Sequence, residues 1–313
     1  MSTARDWAEL LRVPATFTVP GDVLAGAAAT GHLPRPHTAL AAAASLCLYQ
    51  AGMALNDWAD RAEDAAARPH RPIPSGRITP THALAAAAGL TAAGLGLAIA
   101  AGRPAAWCAT ALAGTVWAYD LHLKHTPAGP AAMAAARALD LLLGAAATRP
   151  HPGTLPTRTG DRVRRAALPA AILGAHTYAT TAFSRHETSG GTPRPALAAL
   201  GATAALAAVT ATTTPAPRGG HRTRWPAPAT WRGSGWMRAA LAGGYAATAG
   251  RPLLHAALNP SPPLTQAAVG GQIRATIPLQ AVLAHRAGAP VLAGALTALA
   301  PLARAWARKV SPT

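Results

Sequence analysis

The chain is a succession of apolar runs close to the length of a membrane-spanning helix, separated by short Pro- and Gly-bearing gaps. A helix crossing a bilayer needs about 20 mostly apolar residues. The runs fall at roughly 14–31, 38–57, 82–101, 105–121, 128–148, 166–184, 195–213, 238–257 and 266–285, with a further one at 289–307. Breaks such as Gly31–Pro36, Gly102–Pro104, Thr126–Pro130 and Asn259–Pro263 punctuate them. No strand-like alternation persists, so the expectation is an all-α, polytopic bundle of nine helices, with the run at 289–307 either a tenth span or an amphipathic tail. The first run holds Pro20 and Asp22, which predicts a bent helix facing the bundle interior. With 50% hydrophobic and 12% charged residues, and a positive mean hydropathy, the composition suits a membrane protein better than a soluble enzyme of this size. Much of the apolar mass is Ala, which permits close helix packing in lipid. An Ala-rich soluble bundle is the rival.

A net charge of +17 raises the question of nucleic acid. The basic residues, however, are nearly all arginines in gaps between apolar runs, without a basic stripe interleaved with aromatics. Anionic lipid headgroups and a diphosphate are the partners expected instead. The chain reads as one domain over 1–313, with an N-terminal tail at 1–12 and polar loops at 58–81, 149–165 and 215–238. The tail carries Arg5, Asp6, Glu9 and Arg12 and no run typical of a cleavable signal, so insertion is expected to rely on the spans. Arg61, Arg68, Arg71 and Arg77 outnumber the single arginines Arg35 and Arg103 of the neighbouring gaps. That places 58–81 in the cytoplasm, although the later loops argue the other way. Cys47 and Cys108 fall inside apolar runs and read as buried thiols, not as a disulfide or metal site.

Against this background one segment stands out. The chain has eleven acidic residues, and Asp57, Asp60, Glu63 and Asp64 are four of them, following Asn56 at the end of an apolar run. On a helix, positions 57, 60 and 64 share a face, where like charges repel unless a cation neutralises them. Carboxylate oxygens suit Mg²⁺, which typically takes one or two carboxylates plus substrate phosphates. A solvated helix end is the plainer alternative. Directly after it comes Arg68-Pro69-His70-Arg71-Pro72-Ile73-Pro74-Ser75-Gly76. Prolines stop the helix, and guanidinium groups can neutralise phosphate oxygens from the far side.

The combined pattern, N-D-x-x-D-x-x-x-D followed by R-x-x-R-P-x-P-S-G, resembles the UbiA superfamily of intramembrane prenyltransferases. The resemblance implies a helical bundle with a central, lipid-accessible cavity. It also implies transfer of a prenyl group from an isoprenoid diphosphate to a small aromatic or lipid-like acceptor, with Mg²⁺ on the diphosphate. Asp57, Asp60 and Asp64 would then hold Mg²⁺, and Asn56 would orient them or donate to a phosphate. Arg68, Arg71 and Lys124 would neutralise the diphosphate. Tyr119 and Lys124, in Tyr119-Asp120-Leu121-His122-Leu123-Lys124, resemble the family's tyrosine-then-lysine stretch. Their plainer reading is an interfacial aromatic with a snorkelling lysine.

The likeness weakens later. Where the family usually carries a second acidic cluster, this chain has Tyr178 through Arg185, His186 and Glu187, with Glu187 the sole acid. That form, with Arg137 and Asp140, is similar to a divergent UbiA-like branch, the EboC-like group. Either one ion suffices or Glu187 holds a second through water. Arg137 and Asp140 sit i, i+3 in an apolar helix, where an ion pair and a role toward diphosphate or acceptor are both open. A non-catalytic prenyl-diphosphate or lipid carrier of the same fold is the alternative function.

Overall fold

The computed structural model describes residues 3–150, 157–187, 191–212 and 234–310. Among these residues the secondary structure is helical, as the apolar runs predict. A short helix α1 (Ala4–Leu10) precedes a 3₁₀ turn (Val13–Thr18) and α2 (Val19–Ala29). Then come α3 (Pro36–Ala59), the short α4 (Arg61–Ala67), α5 (Pro80–Ala101) and α6 (Arg103–Ala118), which runs into a π turn (Tyr119–Leu123). The remainder are α7 (Gly129–Ala147), α8 (Thr159–Ser184), α9 (Arg194–Ala211), α10 (Gly235–Leu258), α11 (Pro262–Arg286) and α12 (Pro290–Val310). Proline opens α3, α5, α11 and α12, where its missing N–H costs nothing and its fixed φ fits the first turn.

Twelve α-helices lie among the described residues, α1 and α4 being only seven residues long, and they do not confirm the exact number of nine spans. The run at 14–31 does not make one bent span. Its first part is the 3₁₀ turn, and α2 begins only at Val19-Pro20 and is 11 residues long. The run at 289–307 belongs to one long helix, α12, of 21 residues. Within the stretch read as the loop 58–81, residues Arg61–Ala67 form α4. Likewise α8 starts at Thr159, inside the stretch read as the loop 149–165. Most of the expected loop 215–238 lies outside the described residues. Four helices, α3, α5, α7 and α9, are long and apolar enough to cross a membrane by length and composition. Cys47 and Cys108 are free and only half-buried.

Packing is close because small residues meet across helices. On α2 and α7, Gly26 and Gly144 stand against the partner's backbone: a methyl on Gly26 would overlap the Leu141 carbonyl, and one on Gly144 the backbone of Val23. Only glycine allows that approach. One apolar cluster joins Ala25 and Leu141 to Leu173, Tyr245 and Leu279 of α8, α10 and α11. Another joins Val23 and Leu143 to Leu48, Ala98 and Leu112 of α3, α5 and α6. The short buried helix α2 thus sits between two halves of the bundle, and α3, α6 and α7 enclose the space beside it.

Candidate active site

The acidic segment runs from the last turn of α3 into α4. Asp60 is the residue between them, so the axis changes direction within the motif. Asp57 and Asp64 are buried, 5% and 2% exposed. Both face one guanidinium nitrogen: Arg71 Nη1 lies 2.6 Å from Asp64 Oδ2 and 3.4 Å from Asp57 Oδ1. Arg68 lies 3.5 Å from the other Asp64 oxygen. Asp60 turns away and forms an ion pair with Lys124, with His125 Nε2 at 3.9 Å. Asn56 donates to Asp120 Oδ1 at 3.0 Å. The three aspartates therefore do not converge on one point. Among the described residues, the donors that do lie within 4.8 Å of one another are Asp60, Glu63 and His125.

Lys124 is positioned by the π turn, closed by its own N–H on the Tyr119 carbonyl, five residues back, at 2.9 Å. Arg185, after α8, donates to the Lys124 carbonyl at 3.0 Å and also to that of Thr126. It thus braces the turn that carries Lys124. Glu187 is half-buried, and burial pushes its carboxyl up while the Arg68 guanidinium pulls it back. Tyr178 is 49% exposed on α8 and does not line the cavity described next.

Beside the cluster opens a cavity of ≈ 270 Å³ between α3, α6 and α7. Ser45, Gly52 and Asn56 of α3 line it at helical spacing, along about 16 Å of axis. Leu48, Met53, Leu112 and Met133 give it apolar walls. Its near end carries Arg12, Asn56, Tyr119 and Asp120; its far end carries Ser45, Arg137 and Asp140. Ser45 Oγ donates to Asp140 Oδ2 at 2.9 Å. Arg137 Nη1 lies 2.9 Å from Asp22 Oδ2, and Gln280 Nε2 donates to Asp22 Oδ1 at 2.5 Å. A cavity wet at both ends and dry between them fits an elongated ligand with a charged head.

Arg12, Asp22 and Asp120 complete this site; Asp120 stands within the stretch Tyr119–Lys124, and the other two carry no local motif. Arg12 donates to Asp57 at 2.9 Å from a left-handed backbone, φ 47°, a conformation costing a non-glycine residue on the order of 1–3 kcal/mol. Its N-terminal segment is anchored. Thr3 and Asp6 cap α1 reciprocally, and Arg77 of the Pro-rich loop reaches Asp6 at 2.7 Å and Glu9 at 2.8 Å. The Thr3 backbone N–H, its hydroxyl and Arg77 hold the Asp6 carboxyl down at about 2, below its ordinary 3.8. The hydrogen bond to Glu9 raises Arg77 further, so it stays charged. A depressed carboxylate stabilises fully above its ordinary value, and that contribution is lost as pH falls through about 2. Amide hydrogen exchange in α1 is therefore expected to accelerate as pH drops from about 4 toward 2, after correction for intrinsic rates. Arg77→Gln should accelerate it already at neutral pH. Protection unchanged under both conditions would show that the anchor does not hold α1.

Comparison with known proteins agrees with this architecture. The model of the UbiA prenyltransferase family matches residues 16–249. A digeranylgeranylglyceryl phosphate synthase of Methanopyrus kandleri is 41% identical over 76 residues, covering 24% of this chain and 28% of that protein. Its namesake in Methanospirillum hungatei is 39% identical over 106 residues, covering 34% and 38%. These alignments thus span well under half the length of the two curated relatives. A UbiA homologue of Aeropyrum pernix, solved without ligand, superposes with a TM-score of 0.57 at 18% identity, covering 91% of this chain and 97% of that one. At that identity the likeness speaks for the fold alone. The family match, spanning most of the chain and including the whole acidic motif, decides the classification: the chain belongs to the UbiA prenyltransferase family and is an integral, multi-pass membrane protein.

Proposed function

We propose that the protein is an intramembrane prenyltransferase that moves an isoprenoid group from a prenyl diphosphate to a lipid-like or small aromatic acceptor. One observation carries this reading: the buried Asp57 and Asp64, neutralised by arginine, and the half-buried Asp60, paired with lysine, stand beside the polar end of a cavity with apolar walls. The diphosphate would lie among Arg12, Arg68, Arg71 and Lys124, with Tyr119 as a further donor. The isoprenoid would run along Leu48, Met53 and Leu112 toward Arg137. The name borne by the curated relatives favours a lipid-like acceptor bearing a phosphate.

The donor chemistry fits Mg²⁺. Asp57 and Asp64 already share one cationic nitrogen, and Asp60 has Glu63 and His125 nearby. Hard oxygen donors of this kind, completed by substrate phosphate, are what Mg²⁺ takes. Asp57 and Asp64, which meet at one nitrogen, would hold it, with Asp60 joining them only once it leaves Lys124, and when bound it would neutralise charge growing on the leaving diphosphate. The chain's own residues do the rest. Arg71 and Lys124 can move from carboxylate to phosphate oxygen without leaving the site, so binding exchanges partners and strands no charge. Asn56 keeps Asp120 engaged at the cavity mouth. The apolar walls keep water from the allylic centre as the C–O bond breaks. Placing the acidic cluster on the cytoplasmic side is part of the same proposal and follows from the arginines of 61–77.

The test is transfer of label from radiolabelled prenyl diphosphates of graded length into a membrane-lipid extract, by purified protein in lipid, with and without Mg²⁺. Mg²⁺-dependent formation of a labelled product is expected. Binding of prenyl diphosphate without transfer in every extract would replace the enzyme by a carrier of the same fold.

A further inference from the structure

A second polar cavity lies away from the acidic cluster, between α10 and α11, with a volume of ≈ 500 Å³. Its basic lining groups are Arg251 and His255 of α10 and Arg274 of α11. On α10, Thr248, Arg251 and His255 are spaced i, i+3, i+7 and so share a face. Arg274 folds back along α11, where a methyl on Gly270, one turn earlier, would stand 3.1 Å from its Nη1. The two helices close tightly beneath, with Gly271 against the Pro252 ring.

No acid answers these cations. None lines the cavity, and from residue 188 to residue 313 the sequence contains neither Asp nor Glu. Among the described residues, Arg251 and Arg274 form no ion pair, whereas Arg12, Arg68, Arg71, Arg77 and Arg137 each have a carboxylate. Position sharpens the problem. Arg251 lies seven residues before the end of α10, and Arg274 twelve after the start of α11. At 1.5 Å per residue that is about 10 and 18 Å below the turn joining the helices. Both side chains are exposed there, so the anionic partner that this chain does not supply can come only from outside it. Around them the surface is apolar: Leu254, Leu258 and Ile273 are 45%, 76% and 49% exposed.

We propose that this groove binds the phosphate of an anionic membrane phospholipid, with the acyl chains lying along Leu254, Leu258 and Ile273. Paired guanidinium groups match phosphate oxygens, and the apolar rim matches the chains, which a free inorganic anion lacks. The site is independent of the prenyl-transfer reading, since the two cavities share no lining residue and no helix. In native mass spectrometry of the detergent-purified full chain, one phosphatidylglycerol per chain is expected to survive release from the micelle in preference to phosphatidylcholine. The double variant R251Q/R274Q should lower that retention at least tenfold, R251K/R274K should keep most of it, and R103Q, on another helix, should leave it unchanged. Retention unchanged in R251Q/R274Q would overturn the proposal. So would displacement of the lipid by millimolar inorganic phosphate, which would mark a free-anion site. A photo-crosslinking phosphatidylglycerol supplies a test without mutation: label is expected in peptides of α10 and α11, and label confined to other helices would refute the assignment.

Discussion

Asp57→Asn is expected to lower Mg²⁺-dependent prenyl transfer by about 10²–10³-fold, the size of effect that follows loss of one group preorganised for transition-state charge. Asp57 is the carboxylate on which two elements meet: Arg12 from the N-terminal segment and Arg71 from the Pro-rich loop. Asparagine keeps the shape and one acceptor oxygen, so the hydrogen bond from Arg12 can persist and the fold should hold. What disappears is charge at a site 5% exposed, where water replaces little of it. Two readouts separate this from simple misfolding. Affinity for prenyl diphosphate without metal should stay level or rise, because Arg12 and Arg71 lose a competitor for their positive charge. The Mg²⁺ concentration for half-maximal rate should increase. Wild-type turnover in the variant would remove Asp57 from the metal assignment.

Arg137→Met should be the most destabilising single change away from the acidic motif, by about 3–5 kcal/mol, the usual cost of removing one partner from a buried ion pair. Asp22 is completely buried on α2, and Arg137 is the cation beside it. Methionine fills most of the volume but leaves Asp22 without a cation, with the Gln280 amide and the Asp140 carboxyl as its side-chain partners. The double change Asp22→Asn with Arg137→Met should recover much of the loss, because the uncompensated charge of Asp22 is then gone and Gln280 can bond the new amide oxygen. Thermal unfolding of both variants in detergent measures this. A loss below about 1 kcal/mol for Arg137→Met would mean that water reaches the pair.

The acidic half of the site is legible in the sequence because charge is scarce there. Four of eleven acids within eight residues, followed by an arginine- and proline-bearing loop, is a departure that composition cannot produce by accident in so apolar a chain. Arg12 is illegible for the opposite reason. It sits in a stretch with no periodicity, and it reaches Asp57 only through a left-handed backbone and an anchor formed with residue 77. Asp22 can be read as facing the interior, but its partner is 115 positions along the chain. Asp120 stands in a π turn, a geometry with no propensity signature. Helices are legible from the apolar runs, their limits less so. Polar residues at the start of α8 extend it to Thr159, and the run at 14–31 breaks at Val19-Pro20. Apolar length gives the span but not where the backbone leaves the helix.

The π turn at Tyr119–Leu123 makes this part of the molecule a question of phase. An α-helix advances about 100° per residue, and a turn closed by an i→i+5 bond accommodates roughly one residue more than an α turn. Residues before 119 and after 123 are thus out of step by about one position. The α phase of the upstream segment points Leu112 and Val116 into the cavity, while the shifted phase brings Lys124 onto Asp60 and its carbonyl onto Arg185. Both orientations hold at once only because of the extra residue. Conservative replacements between 119 and 123 leave that phase intact, whereas a single-residue deletion would swing Lys124 by about a quarter-turn away from the carboxylates. In this segment, chain length is a more stringent constraint than side-chain identity.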